Sequence, residues 1–280
     1  GEWRESSGDR APLDWAGAGF VTLGLGGVVW ALTAFPQRGV LDPAVMASFV
    51  MGTVALMIFL MIEARQKDRA MMPLALFGTA SFSGISLLTL FLYAALGGLI
   101  VVLPYMLISA FGFSATAAGA AILPFPLIIG TLSRNAGSLA VRIGISRILT
   151  IGPVMVAAGF LLLARMPVEG FSYWLHVLPG LVVMSLGMAL SVAPLTTAVM
   201  NAVSDDRVGI ASGVNNAISR IAGLVATALI GLVLVRAETA GDALVSGFRG
   251  AALVGAGLAV LSAISAVLLI GRDVEETREG

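Results

Sequence analysis

The residues best placed to do chemistry lie in one run, Gly209-Ile-Ala-Ser-Gly213-Val-Asn-Asn-Ala-Ile-Ser-Arg220-Ile-Ala-Gly223. At a helical spacing of three to four, Gly209, Ser212, Gly213, Asn216, Arg220, Gly223, Thr227 and Gly231 fall along one stripe. A stripe of small and polar residues within apolar sequence faces protein or a water-filled path, not lipid. Arg220 then has two readings. It packs between helices and reaches back to the nearer membrane face, or it is a substrate-path or gate residue with Asn215 and Asn216 beside it. Gly209, Gly213 and Gly223 are the expected helix-packing positions. Tyr93 and Tyr105 offer a stacking and hydrogen-bonding surface to an amphiphilic ligand, or else an interface anchor. Thr196 and Thr197 complete the set of candidate path residues. Trp15, Tyr173 and Trp174 have the placing of belt aromatics at helix ends.

Other chemistries find no support. The acidic residues all fall outside the apolar runs, with Asp14, Asp42, Glu63, Asp205 and Asp273 at their edges or beyond. An intramembrane carboxylate is the usual proton or cation carrier of a coupled transporter. If the protein is proton-coupled, that carboxylate must lie in a preceding part of it. The lone histidine, His176, reads as a packing residue, because no further ligands converge on it by spacing. There is no cysteine and no GxxxxGK[ST] phosphate loop, so thiolate chemistry and an ATPase motor are excluded from this chain. No metal, cofactor or enzymatic activity is expected. Basic and acidic residues balance at 16 each, which offers no case for nucleic acid.

The elements that must position these residues are membrane-spanning helices. Of 280 residues, 58% are hydrophobic and 11% charged, against roughly 25% charged in soluble proteins. Mean hydropathy is +1.00. A hydrocarbon core ~30 Å thick takes about 20 apolar residues to cross. Eight runs suffice: Trp15–Phe35, Ala44–Ile62, Phe82–Ala110, Ala115–Ser133, Ile148–Arg165, Leu175–Val199, Ile210–Val235 and Phe248–Ile270. They are continuous instead of alternating, which selects helices over a β-barrel. Pro104, Pro124, Pro126, Pro153 and Pro194 lie within them, where neighbouring helices can re-satisfy the freed carbonyls.

The chain divides into a lead-in (1–14), a two-helix pair (15–62), a connection (63–81), a six-helix set (82–271) and a tail (272–280). Eight spans put both ends on one side. That side holds eleven basic residues, among them Arg65, Arg134, Arg142, Arg147 and Arg272; the other holds Arg38, Arg165, Arg236 and Arg249. The bias places both ends in the cytoplasm, and the Ala/Gly/Val/Arg-rich composition suits a bacterial plasma membrane. Gly1 in place of Met, followed by polar sequence, reads as a fragment with its beginning upstream.

Four passages carry a resemblance to a known family. Leu13-Asp-Trp15-Ala-Gly precedes a Gly-rich span, and Met72-Pro-Leu-Ala-Leu-Phe77 leads to Ser81-Phe82. Phe113-Ser-Ala-Thr-Ala-Ala-Gly119 is followed by Leu123-Pro124. Ala193-Pro-Leu-Thr-Thr197 with Val208-Gly-Ile-Ala-Ser-Gly213-Val-Asn-Asn216 is the most specific. In this order they resemble the C-terminal part of the major facilitator superfamily, in its fourteen-span drug–proton antiporter branch. Gly137, Arg142, Gly144 and Arg147 fit the family's cytoplasmic loop signature, although Val141 stands where it has an acid.

The resemblance implies an all-α membrane fold: a two-helix linker pair plus the C-terminal six-helix bundle, with the first six spans missing. It also implies alternating access, in which two bundles rock about a midplane site. The expected partners are the lipid bilayer, a small amphiphilic substrate, and protons carried by residues of the missing N-terminal half. The leading expectation is a secondary transporter exporting amphiphilic compounds or drugs in exchange for protons. A non-transporting scaffold or sensor derived from a truncated transporter is the alternative.

Overall fold

A computed structural model describes residues 15–39, 41–66, 72–204, 207–235 and 241–270. The lead-in 1–14, the tail 272–280, Asp205 and Arg236 lie outside the described residues. Nine α-helices are described: α1 (Trp15–Arg38), α2 (Pro43–Gln66), α3 (Ala80–Phe111), α4 (Ala115–Ile122), α5 (Pro124–Ile143), α6 (Ile145–Leu163), α7 (Leu178–Asn201), α8 (Val208–Val235) and α9 (Gly241–Ser265). A 3-10 turn (Leu74–Gly78) leads into α3, and π-helical turns precede α7 (Tyr173–Val177) and extend α9 (Ala266–Ile270). No strand occurs among the described residues.

Seven stretches are long and apolar enough to cross a membrane, and α4 with α5 counts as one of them. The eighth, α8, has the length at 28 residues, with its polar run gathered in the first half and an apolar second half. The described chain is therefore an all-α membrane protein.

The helix ends follow from local chemistry. The Thr79 side chain accepts from the Phe82 backbone N–H at the start of α3. Gly112, at φ 69° and ψ 22°, ends α3 in the left-handed conformation that glycine adopts without strain. Two residues later the Ser114 hydroxyl caps α4 by accepting from the Ala117 N–H at 3.1 Å.

Contacts between helices give their relative directions. A Cβ built at Gly152 would lie 2.8 Å from the Gly187 carbonyl oxygen, and one at Gly159 would lie 2.7 Å from the Gly180 carbonyl oxygen. Rising numbers on α6 meet falling numbers on α7, so the two are antiparallel. The same holds for α1 and α2, where Gly24 meets Leu56 and Gly27 meets Gly52 and Ser48. It holds for α3 and α9 too: Gly84 meets Leu269, and the Ser262 hydroxyl donates to the Leu88 carbonyl at 3.0 Å. By contrast α3 and α8 run parallel, with Thr89 against Asn215 and Gly97 against Gly223. Alternating up and down, these directions agree only if α4 and α5 form one crossing. The core of the six-span set lies along α3, α6, α7 and α9, around Phe82, Phe160 and Phe248. The α1–α2 pair packs along α8, and α2 turns Met46, Phe49, Val50, Met51 and Met57 outward.

Three expectations need correction. The fourth span does not stop at Ser133: α5 continues to Ile143, because the Asn135-Ala136-Gly137-Ser138 stretch, turn-like in composition, remains helical. Gly137 and Arg142 thus stand in α5 and Arg147 in α6, and the expected cytoplasmic loop shrinks to Gly144 at φ 102°. Arg134 accordingly sits inside the span, nine residues before its end, or about 14 Å at 1.5 Å per residue. Pro124 and Pro126 open α5 after a break at Leu123, inside the single crossing that α4 and α5 form, as expected of prolines within a span. Glu63, placed by sequence in the connection, belongs to α2 and is 1% exposed; its Oε2 accepts from the Met72 N–H at 3.0 Å. The eighth span begins early, at Gly241, and its Arg249 donates through Nε to the Met166 carbonyl at 2.7 Å.

The α6–α7 seam generates a prediction. A valine at Gly187 would set its Cβ 2.5 Å from the Gly152 carbonyl oxygen, an atom of rigid backbone. Gly187→Val should destabilise the purified protein by about 1–3 kcal/mol, read as a lower thermal midpoint in detergent. Gly130→Ala, where a Cβ meets nothing within 4 Å, should leave that midpoint in place.

Candidate functional site

The polar groups predicted for a substrate path separate into those bonded within their own helices and those that are not. Thr196 and Thr197 are exposed near the C-terminal end of α7, and their hydroxyls donate back to Val192 O at 3.2 Å and Ala193 O at 3.3 Å. Tyr105 is exposed twelve residues beyond Tyr93 along α3, about 18 Å away. Thr196, Thr197 and Tyr105 thus stand apart from the other candidates.

What the structure brings together is a ladder between α3 and α8. The Thr89 hydroxyl donates to the Asn215 side-chain oxygen at 2.7 Å. One turn on, the half-buried Tyr93 lies on the same face of α3, level with Ser219 and Arg220 of α8 by the register of the contacts on either side of it. Another turn on, a Cβ at Gly97 would lie 2.7 Å from the Gly223 Cα, and the Thr227 hydroxyl reaches the Gly97 carbonyl at 3.4 Å. Thr89, Tyr93 and Gly97 recur every four residues on α3, which puts them on one face. The close approach at Gly97 allows the two backbones to touch and holds Tyr93 beside Arg220.

Asn216 and Arg220 lie on the exposed side of α8, with Gly209, Gly213 and Thr227. The buried side is apolar: Ala211, Val214, Ala222 and Ala228. The expected stripe therefore exists, and it looks out of the helix bundle. Of the three glycines expected to pack helices, only Gly223 touches a partner closely, by receiving Gly97; a Cβ at Gly209, Gly213 or Gly223 would meet nothing within 4 Å. Gly97 was missed because one glycine in an apolar run has no pattern until its partner is known. Arg220 stands twelve residues into α8, about 18 Å from its start. The Ser219 hydroxyl is used by its own helix, donating to Asn216 O at 2.8 Å.

A groove of about 220 Å³ opens elsewhere, between α5, α6 and α7, lined by Leu132, Asn135, Met155 and Leu186 among others. It contains none of the expected path residues. No cluster of three metal-ligating side chains occurs among the described residues. His176 takes a structural place: its Nδ1 accepts from the Ser172 N–H at 3.0 Å, and its ring lies 6.2 Å from that of Phe171. The arrangement around Arg220 offers hydrogen bonds and a positive charge, which is equipment for binding.

The ladder can be tested piece by piece. Gly97→Val should push α8 off α3 and lower the thermal midpoint of the detergent-solubilised protein. Thr89→Val removes one interhelical bond, worth about 0.6–1 kcal/mol in a membrane interior, along with the hydroxyl's contact to its own helix at Ile85 O, 2.9 Å away, so its midpoint should fall by less.

Comparison with known proteins now bears on this geometry. The pattern of the Major Facilitator Superfamily matches residues 85–280. Multidrug resistance protein Stp of Mycobacterium tuberculosis (strain ATCC 25618 / H37Rv) is 29% identical over 231 residues, covering 82% of this chain and 42% of Stp. Puromycin resistance protein pur8 of Streptomyces alboniger is 28% identical over 273 residues, 92% of this chain and 54% of pur8. Multidrug export protein EmrB of Escherichia coli (strain K12) is 25% identical over 226 residues, 81% of this chain and 44% of EmrB. The chain thus spans about half the length of these relatives. With the family pattern running over most of its helices, and relatives of the drug-efflux kind, the chain belongs to the Major Facilitator Superfamily.

Proposed function

We propose that this chain is the C-terminal part of a secondary active exporter of amphiphilic organic compounds, coupled to protons and working by alternating access. In this reading α1 and α2 (15–62) are a linker pair, 63–81 a cytoplasmic connection, and 82–271 one of two rocking bodies. A preceding set of spans supplies the other body and the proton-carrying acid. Arg220, Asn216 and Tyr93 form part of the substrate path, on the face that the second body closes. Relatives named for multidrug and puromycin resistance support the substrate class. The bacterial relatives support a bacterial plasma membrane, and the basic residues support both chain ends in the cytoplasm. With Arg134 and Arg249 moved into spans, ten remain on the side of the ends against three opposite.

One observation carries the reading. An exposed guanidinium lies about 18 Å along a membrane-length helix, on a face lined by Asn216 and small residues. At that depth a charge is tolerated where water or protein meets it. Arg220→Ala in the full-length protein should reduce export in a drug-accumulation assay by about tenfold or more, the loss expected when a charged hydrogen-bond partner is removed, with membrane expression unchanged. Unaltered export would remove Arg220 from the path.

A further inference from the structure

The charges that the structure places at mid-depth have one sign. Arg220 on α8 is joined by Arg134 on α5, also exposed and also well inside its span. The described acids all sit at or near helix ends or in connections. Asp42 caps α2, accepting from Ala44 N–H at 2.9 Å and Val45 N–H at 3.1 Å. Glu63 is buried near the end of α2 and holds the Met72 N–H. Glu169 stands in the connection after α6, and Asp242 in the first turn of α9. None of these faces the level of Arg220.

The donors beside Arg220 are sorted in the same sense. Asn215 is engaged by Thr89, and Ser219 by its own helix. Asn216, one turn below Arg220 on the same exposed side, and Tyr93, at the same level on α3 by the Thr89–Asn215 and Gly97–Gly223 contacts, are the polar groups left to assist it. A guanidinium presents its own N–H donors in a planar fork that fits a carboxylate or sulfonate, and an amide and a phenol at its level add donors of the same kind. A cation brought to the same place meets like charge where little water screens it.

We infer that Arg220, with Asn216 and Tyr93, is an anion-recognition point, so that the amphiphiles this site selects carry a carboxylate or sulfonate instead of a positive charge. The inference rests on the export reading for its setting and goes beyond it in naming the substrate class. Arg220 acts here by binding, with no covalent step.

Three probes of one size separate the outcomes: a naphthalene sulfonate, the corresponding uncharged sulfonamide, and the same ring system bearing a trimethylammonium group. Binding is measured to the purified full-length protein in nanodiscs, and transport in proteoliposomes. The expected result is wild-type preference for the sulfonate. Arg220→Gln should weaken sulfonate binding about ten- to a hundredfold, the range for a hydrogen bond to a charged group, and change sulfonamide binding by less than about threefold. Arg220→Lys should keep most of the charge preference while losing the bidentate fit.

The inference is overturned if the wild type binds the trimethylammonium probe as well as the sulfonate, a reading that needs no variant to fold. Equal loss of all three probes in Arg220→Gln also overturns it, since it marks Arg220 as structural, paired for instance with an acid elsewhere in the protein. Transport separates this inference from the reading beneath it. Selective sulfonate binding with no probe moved would end the export reading and leave this one standing. Export of all three probes without charge preference would do the reverse.

Discussion

Helices inside a bilayer gain little by hiding apolar side chains from one another, because the lipid around them is equally apolar. What holds these spans together is backbone approach at glycine. Gly27 meets Gly52 between α1 and α2, Gly152 meets Gly187 between α6 and α7, and Gly97 meets Gly223 between α3 and α8. A contact with no side chain on either helix tolerates no slippage, so each pair sets register as well as distance. The remaining geometry follows from those registers. The parallel α3–α8 register makes α4 and α5 one crossing, and Arg220, less than one turn before Gly223, takes its depth and rotation from the same contact.

The placement of polar groups follows a second rule, that each buried donor or acceptor needs a partner when no water is near. Most hydroxyls in the spans meet it alone. Thr22, Thr33, Thr53, Thr150, Ser185, Ser191 and Ser265 all donate to the carbonyl four residues back. Their presence therefore says nothing about a transport path. Arg249, Tyr173 and Glu63 each bond to a backbone group: the Met166 carbonyl, the Ala121 carbonyl at 2.8 Å, and the Met72 N–H. Side chains too long or too highly charged for either solution mark the site. Arg220 is the clearest of them.

Much of this was legible in the residues because the bilayer imposes a length. Eight apolar runs became eight crossings, with ends shifted by a few residues. The larger miss, at the end of the fourth span, has a definite cause. Arg134-Asn-Ala-Gly-Ser138 has the composition of a turn in water, yet Gly, Ser and Asn all continue a helix in a bundle, and the chain turns only at Gly144, where φ is positive. The candidate site was half legible. Periodicity put Asn216 and Arg220 on one stripe, but it could not tell that the stripe faces outward, nor that the Gly97 contact sets Tyr93 at its level. Both facts depend on which helix is the neighbour, and one chain's spacing does not contain that.

The outward stripe constrains what must surround it. Setting an arginine at the centre of a bilayer costs about 2.5–3.5 kcal/mol even where snorkelling and local thinning relieve it. Two exposed at depth, Arg134 and Arg220, would together cost roughly twice that if both met hydrocarbon. The outer face of α2 shows what this chain presents to lipid: Met, Phe and Val without interruption. The contrast between these surfaces, one wholly apolar and the other carrying Arg220, Asn216 and Thr227, separates a lipid boundary from a face that water or protein must cover. The rocking-body reading supplies both covers in turn: a second bundle when the path is closed, and water with substrate when it is open.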